Sequence, residues 1–255
     1  LKIFDKNGNK LSDEIELEIE RLMTMRLEEE LIEPEKIGRA KRLDDANGRY
    51  LEFLKNTFPS KQRLEGLKIV VDCANGASYI SAPIVFWELG AEVIQIGVKP
   101  NGLNINKECG STDTRLLSEK VKENNADIGL ALDGDGDRLM VCDENGQIID
   151  GDQILGLLAL ELKEKKMLTN NEVVGTLMTN VGLENKLREN SIDLVRAPVG
   201  DRYVKEEMLK KDLNLGGEQS GHIILKDYTS SGDGIIVALQ ILSILKEKGI
   251  KASKV

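Results

Sequence analysis

Two rounds of short, unbroken apolar strands separated by helical stretches constrain this chain more than any other feature. Residues 68–72 (Lys-Ile-Val-Val-Asp), 92–96 and 127–132 read as strands, with helical patterns over 80–89 and 112–124 between them. The order then repeats, with strands at 172–178, 192–195 and 222–225, helices at 183–189 and 202–211, and a long helix at about 234–248. Strands apolar on both sides are buried on both sides, and alternation with helices makes parallel sheets covered on two faces. Ile69-Val70-Val71 followed by Asn75-Gly76, a helix and a strand is echoed by Val173-Val174 followed by Asn180, Gly182, a helix and a strand. The predicted fold class is therefore α/β, two consecutive layered domains with mostly parallel sheets, preceded by the tail of a third. The expected boundaries are 1–42 for the tail, 43–149 for the first full domain and 150–255 for the second.

The remaining local signals fill in around this frame. Residues 1–4 read as a strand end and 5–8 as a turn, and Ser12 is expected to cap an acidic helix from 13 to about 30. A helix over about 44–56 follows. Residues 139–142 continue the first round as a strand, with a Glu144-Asn145-Gly146 turn into 147–149. Asp152 is the expected N-cap of a helix ending near Lys166.

Charge and composition exclude several function classes. The 255 residues suggest about two domains. A net charge of −9 argues against nucleic acid as a partner, because phosphate backbones are bound by clustered Lys and Arg. No apolar run approaches the roughly 20 residues that span a bilayer, so no membrane partner is expected. Three cysteines in no metal-like spacing fit a reducing, cytoplasmic setting. The chain opens without Met and stops just after a helical pattern, so it is expected to be a piece of a longer protein.

The chemistry concentrates in Asp133-Gly134-Asp135-Gly136-Asp137-Arg138, at the end of an apolar strand. Open α/β sheets place ligands at the carboxyl ends of their strands. Carboxylates at i, i+2 and i+4 repel one another unless a cation lies between them, and the glycines let the backbone curl so that the oxygens converge. Hard oxygen donors of this kind suit Mg²⁺, with Arg138 offering a fork for phosphate. The spacing also matches positions 1, 3 and 5 of an EF-hand loop, with Glu144 at position 12. Arg138, however, stands where that loop needs Gly, and the flanks read as strands, so the EF-hand reading fails.

A second loop, Gly216-Gly217-Glu218-Gln219-Ser220-Gly221-His222, sets polar side chains between glycines and contains the chain's only histidine. Such a turn suits recognition of hydroxyl groups, because its backbone lets a ligand approach closely. His222 is open to either a structural or a proton-transfer role. A third candidate, Gly200-Asp201-Arg202, opens a helix, where anions bind, although a plain capping Asp with an exposed Arg explains it equally well.

Taken together the motifs resemble the α-D-phosphohexomutase superfamily, and within it the glucosamine-phosphate branch. The resemblance runs nearly end to end: Val-Val-Asp-Cys-Ala-Asn-Gly-Ala at 70–77, Glu-Leu-Gly-Ala-Glu-Val at 88–93, Asn-Gly-Leu-Asn-Ile-Asn at 101–106, Cys-Gly-Ser-Thr at 109–112, the aspartate loop, Asp-Gly-Asp-Gln-Ile at 150–154, Val-Gly-Asp-Arg-Tyr-Val at 199–204 and the Glu218–His222 loop. It implies four domains around a cleft, of which this chain would hold the end of the first and all of the second and third. It further implies Mg²⁺ on Asp133, Asp135 and Asp137, sugar hydroxyls on Glu218 and Ser220, and a catalytic lysine at Lys2; the sugar loop is expected to face the aspartates across the cleft between the second and third domains. The implied activity interconverts glucosamine 6-phosphate and glucosamine 1-phosphate through a phosphoserine enzyme and a bisphosphate, and the intact enzyme would form a homodimer. A phosphomannomutase or phosphoglucomutase, or a catalytically silent binding module, is the alternative. Two departures stand out: the family's serine loop, Thr-Ala-Ser-His-Asn-Pro, does not occur in these residues, and Asp113-Thr114 stands where the family has His-Pro.

Overall fold

In the first apolar strand, successive residues point into different cores. Ile69 and Val71 join one buried cluster while Val70, between them, joins another. This is the period-two geometry of a strand buried on both faces. The structure, a computed structural model, describes residues 3, 11–24, 32–40 and 42–254. The chain divides after Ala46, and both sheets belong to the second unit, 47–255. Ahead of them, helix α1 (Asp13–Thr24) carries no buried residue. Its expected continuation to residue 30, the strand end at 1–4 apart from Ile3, and Lys2 lie outside the described residues.

Within the second unit α2 (Ala46–Thr57) leads into a first round: β1 (Lys68–Asp72), α3 (Ser81–Glu88), β2 (Glu92–Ile96), α4 (Arg115–Asn124), β3 (Ile128–Leu132), β4 (Leu139–Asp143) and β5 (Ile148–Ile149). The second round is α5 (Gly151–Glu164), β6 (Glu172–Thr176), α6 (Val181–Glu189), β7 (Asp193–Ala197), α7 (Asp201–Lys210), β8 (Leu215–Gly217), β9 (Ile223–Leu225) and α8 (Gly234–Lys248). The sheets run β2-β1-β3-β4-β5 and β7-β6-β8-β9. In each, the three strands that alternate with helices are parallel and the next strand returns antiparallel. Each sheet thus keeps a parallel core and adds antiparallel pairing at one side, because β3–β4 and β8–β9 are hairpins whose short connections cannot cross over. Apart from β5, which the second sheet lacks, the two rounds have the same topology, so the echo in the sequence is a structural repeat.

Helix α8 shows why the halves cannot be treated as separate cores. It is apolar on every side, with Ile235, Ile236, Val237, Leu239, Ile241, Leu242, Ile244 and Leu245 all buried. A helix apolar all round must be covered all round. It packs on β3 and β4 of the first sheet and β9 of the second. One continuous cluster runs from Leu54 of α2 through both sheets to α8. The outer faces are closed separately, by α4 (Leu117, Val121) over the first sheet and α7 (Val204, Met208) over the second.

Three local expectations are corrected. Asp150, not Asp152, is the N-cap of α5, forming a capping box with Gln153, while Asp152 is buried and accepts from the Asn180 backbone N–H at 2.8 Å. Helix α4 starts at Arg115 rather than Thr112, because the preceding segment is tied to β3 through the Ser111 N–H on the Leu132 carbonyl, 2.9 Å. Gly216 and Gly217 form strand β8, not a loop; Val204 and Met208 of α7 pack so closely on Gly216 that a side chain there has no room.

Candidate metal centre and the loop beside it

The aspartate run is the connection of the β3–β4 hairpin, at the carboxyl end of a central strand. Its curl needs Gly136, whose φ of +77° lies in the left-handed region. Carboxylate oxygens of Asp133, Asp135 and Asp137 lie within 4.8 Å of one another. Asp133 is 8% exposed, and its Oδ1 accepts the Arg138 backbone N–H at 3.1 Å. Burial first, and then the neighbouring Asp137 charge, push Asp133 up to about 6. Three converging acids with that charge conflict form a donor set that a hard divalent cation would satisfy. Arg138 reaches toward the same place, with Nε 4.0 Å from Asp133 Oδ2.

Neighbouring loops hold this curl. Ala77 donates its backbone N–H to the Gly134 carbonyl at 2.8 Å. Asp72, fully buried at the end of β1, accepts the N–H groups of Ala74 (2.9 Å) and Gly110 (2.7 Å), which fixes the two loops on either side. On the open side Gly234 donates its N–H to the Gly136 carbonyl at 2.9 Å.

The Glu218–His222 loop is the connection of the β8–β9 hairpin, the same position in the second sheet. It does not face the aspartates across a cleft; the two hairpins meet edge to edge. Arg138 and His222 form an antiparallel bridge, and the Leu139 N–H donates to the Gly221 carbonyl at 3.0 Å. The reason is the shared core, which leaves the strand ends of the two sheets adjacent. His222 is buried, with Nδ1 3.6 Å from Asp137 Oδ2 and Nε2 4.0 Å from Asp201 Oδ2. The ring therefore links the aspartate loop to the start of α7. Glu218 is buried too, and its Oε1 accepts the Gly200 N–H at 3.0 Å. Ser220 is half-buried. Arg202 is drawn along its own helix to Glu206, Nε to Oε1 at 2.9 Å, and its N–H is held by Asp201 at 2.8 Å. The structure thus gathers Asp133, Asp135, Asp137, Arg138, Gly200, Asp201, Glu218 and His222 into one connected set.

Sequence reasoning missed two groups here. The first turn of α5 abuts the second hairpin: the Gly151 N–H donates to the Gln219 carbonyl at 3.1 Å, and Gln219 Nε2 donates to Asp150 Oδ2 at 3.3 Å. The first turn of α8 abuts the first hairpin in the same way, capped by Asp233, which also accepts the Tyr50 hydroxyl at 2.8 Å. An Asp directly before an apolar run was a readable cap signal, but nothing in the sequence tied Tyr50, 183 positions away, to it.

Comparison with known proteins agrees with this geometry. The family described as Phosphoglucomutase/phosphomannomutase, alpha/beta/alpha domain II, matches residues 48–146, and its domain III matches 150–255. A protein of Nitrobacter winogradskyi named phosphoglucosamine mutase is 52% identical over 255 residues, covering 100% of this chain and 57% of that protein. The chain thus spans little more than half the length of the curated relatives it matches. A phosphoglucomutase/phosphomannomutase family protein from Burkholderia thailandensis superposes with a TM-score of 0.70 at 28% identity, over 81% of this chain and 45% of that one. Aspergillus fumigatus N-acetylphosphoglucosamine mutase, solved in complex with GlcNAc-6P and magnesium, shares the fold at a TM-score of 0.62 and 17% identity, over 85% of this chain and 50% of that one. With both α/β/α domains matched in order and the repeat visible in the sheets, the chain belongs to the phosphoglucomutase/phosphomannomutase family.

Proposed function

We propose that this chain carries the metal loop and the sugar-recognition loop of a phosphoglucosamine mutase, which interconverts glucosamine 6-phosphate and glucosamine 1-phosphate. The observation that carries the reading is the edge-to-edge junction of the two hairpins, which sets an acidic cation site beside a polar loop. The name and 52% identity of the Nitrobacter winogradskyi relative support the glucosamine branch.

In this reading Asp133, Asp135 and Asp137 hold Mg²⁺, which when bound offsets the negative charge of a phosphoryl group. Arg138 adds a fork of donors beside it. Glu218 and Ser220 hold sugar hydroxyls, with Gly200, Asp201 and Arg202 behind them, and His222 keeps the two loops in register. Phosphoryl transfer asks mainly for positioning and charge stabilisation, and these residues supply both. The phosphoryl carrier is a phosphoserine, and the reaction passes through a sugar bisphosphate; Lys2, outside the described residues, is the lysine that the family resemblance assigns to catalysis. Three free cysteines, all buried, accord with a cytoplasmic location.

The test is turnover of the full-length protein on glucosamine, glucose and mannose 6-phosphates with a sugar 1,6-bisphosphate as primer. The reading expects glucosamine 6-phosphate to give the highest kcat/KM. Preference for mannose or glucose phosphate moves the protein to another branch, and no turnover on any of them sinks the reading.

A further inference from the structure

The aspartate loop is shaped from outside its own hairpin. Its free edge, away from β1, is covered by Gly232-Asp233-Gly234 at the start of α8, a helix that follows the other sheet. The fit leaves no space: a Cβ on Gly234 would lie 2.6 Å from the Arg138 carbonyl oxygen, and one on Gly232 would lie 2.6 Å from His222 Nε2 and 2.9 Å from the Asp137 carbonyl oxygen. A polar link across this contact is the Gly234 N–H on the Gly136 carbonyl, 2.9 Å. Gly136 is the left-handed residue between Asp135 and Asp137. Its peptide orientation therefore decides where those two carboxylates point.

What holds the helix start in that place is a half-buried polar pair. Asp233 Oδ1 accepts the N–H groups of Ile235 (3.0 Å) and Ile236 (3.1 Å), and Oδ2 accepts the hydroxyl of Tyr50 from α2 at 2.8 Å. One carboxylate thus caps α8 and ties it to a helix before the first sheet. Neither residue is among the aspartate ligands or the sugar loop.

We infer that Asp233 and Tyr50 are positioning residues for the metal loop: together they seat the α8 N-terminus so that Gly234 holds Gly136 in the conformation that brings Asp135 and Asp137 together. The inference rests on the reading of Asp133, Asp135 and Asp137 as cation ligands and adds the device that presets them.

The experiment is Mn²⁺ binding to the full-length protein, followed by electron paramagnetic resonance, for wild type, Asp135→Asn, Tyr50→Phe, Asp233→Ala and Asp233→Asn, with melting temperatures measured alongside. Tyr50→Phe is expected to weaken Mn²⁺ binding roughly 10-fold, the range in which groups behind a metal's ligands act. Asp233→Ala should weaken it further. Asp233→Asn should restore most of it, since Asn can cap the helix and share a hydrogen bond with a tyrosine hydroxyl. Tyr50→Phe with a lower melting temperature but wild-type Mn²⁺ affinity overturns the inference, and this variant keeps the test decisive if Asp233→Ala fails to fold. Mn²⁺ binding by wild type that Asp135→Asn leaves intact, or no binding at all, overturns the metal reading itself and the inference with it.

Discussion

The two hairpin connections occupy the same place in two sheets that share a four-strand topology, yet they differ in charge. The β3–β4 loop brings three carboxylates within 4.8 Å of one another. The β8–β9 loop has one carboxylate, Glu218, already engaged by the Gly200 N–H. Each loop is covered by the helix that follows the other sheet, α8 on the first and α5 on the second. The shared scaffold thus sets where the loops lie, and their side chains alone decide which gathers three acids and which presents a single carboxylate among glycines and polar groups. A repeat of this kind can specialise its halves without changing the fold.

The difference is easiest to break at the acidic loop. Asp135→Asn removes one of three converging charges, and Mg²⁺ affinity should fall more than about 100-fold, beyond what changes behind the ligands cost. Turnover of the full-length protein should fall with it. Isothermal titration with Mg²⁺ decides this; unchanged affinity would show that the aspartates do not form one site.

Leu242, fully buried in α8, tests whether the two loops share one support. Leu242→Ala should cost about 2–5 kcal/mol of stability, as core truncations of leucine do. Because α8 packs on both sheets, denaturation should remain a single transition with a lower midpoint. Two separated transitions would show that the sheets unfold independently and that the common core is not cooperative.

The sugar loop should respond without disturbing the metal. Glu218→Ala in the full-length protein is expected to lower kcat/KM by an amount matching about 1.5–3 kcal/mol, the range for a hydrogen bond to a charged group. Mg²⁺ affinity should stay within twofold of wild type. A lower melting temperature with normal kinetics would assign Glu218 to the Gly200 turn alone.

The smallest effect sharpens the electrostatic contrast. Asp133 is raised to about 6, so without a cation its contribution favours the fold at low pH and is lost as pH rises through that value. Mg²⁺ bound there would favour the ionised form and reverse the sign. Saturating Mg²⁺ should therefore raise the melting temperature at pH 7 by a few degrees, at about 2–4 °C per kcal/mol, and by less at pH 5. An equal shift at both values would separate the cation from Asp133.

Much of this was legible in the residues because it depends on local chemistry. The unbroken apolar runs at 68–72 and 128–132 read as doubly buried strands, and three aspartates at alternate positions between glycines point to a cation because their like charges repel. Strand β8 escaped notice because glycine has no strand signature of its own; Gly216 is there to admit Val204 and Met208, and that demand comes from α7. Asp152 looked like a cap because it opens a helix, but its partner is Asn180 on a distant loop. By itself, then, the sequence determined the elements, their repetition and the identity of the charged groups. Only the tertiary structure decided that the two loops join edge to edge, that His222 lies between Asp137 and Asp201, and that Tyr50 meets Asp233 at the start of α8. Those contacts link residues far apart in the chain, and they exist only once α8 has buried its whole circumference between the two sheets.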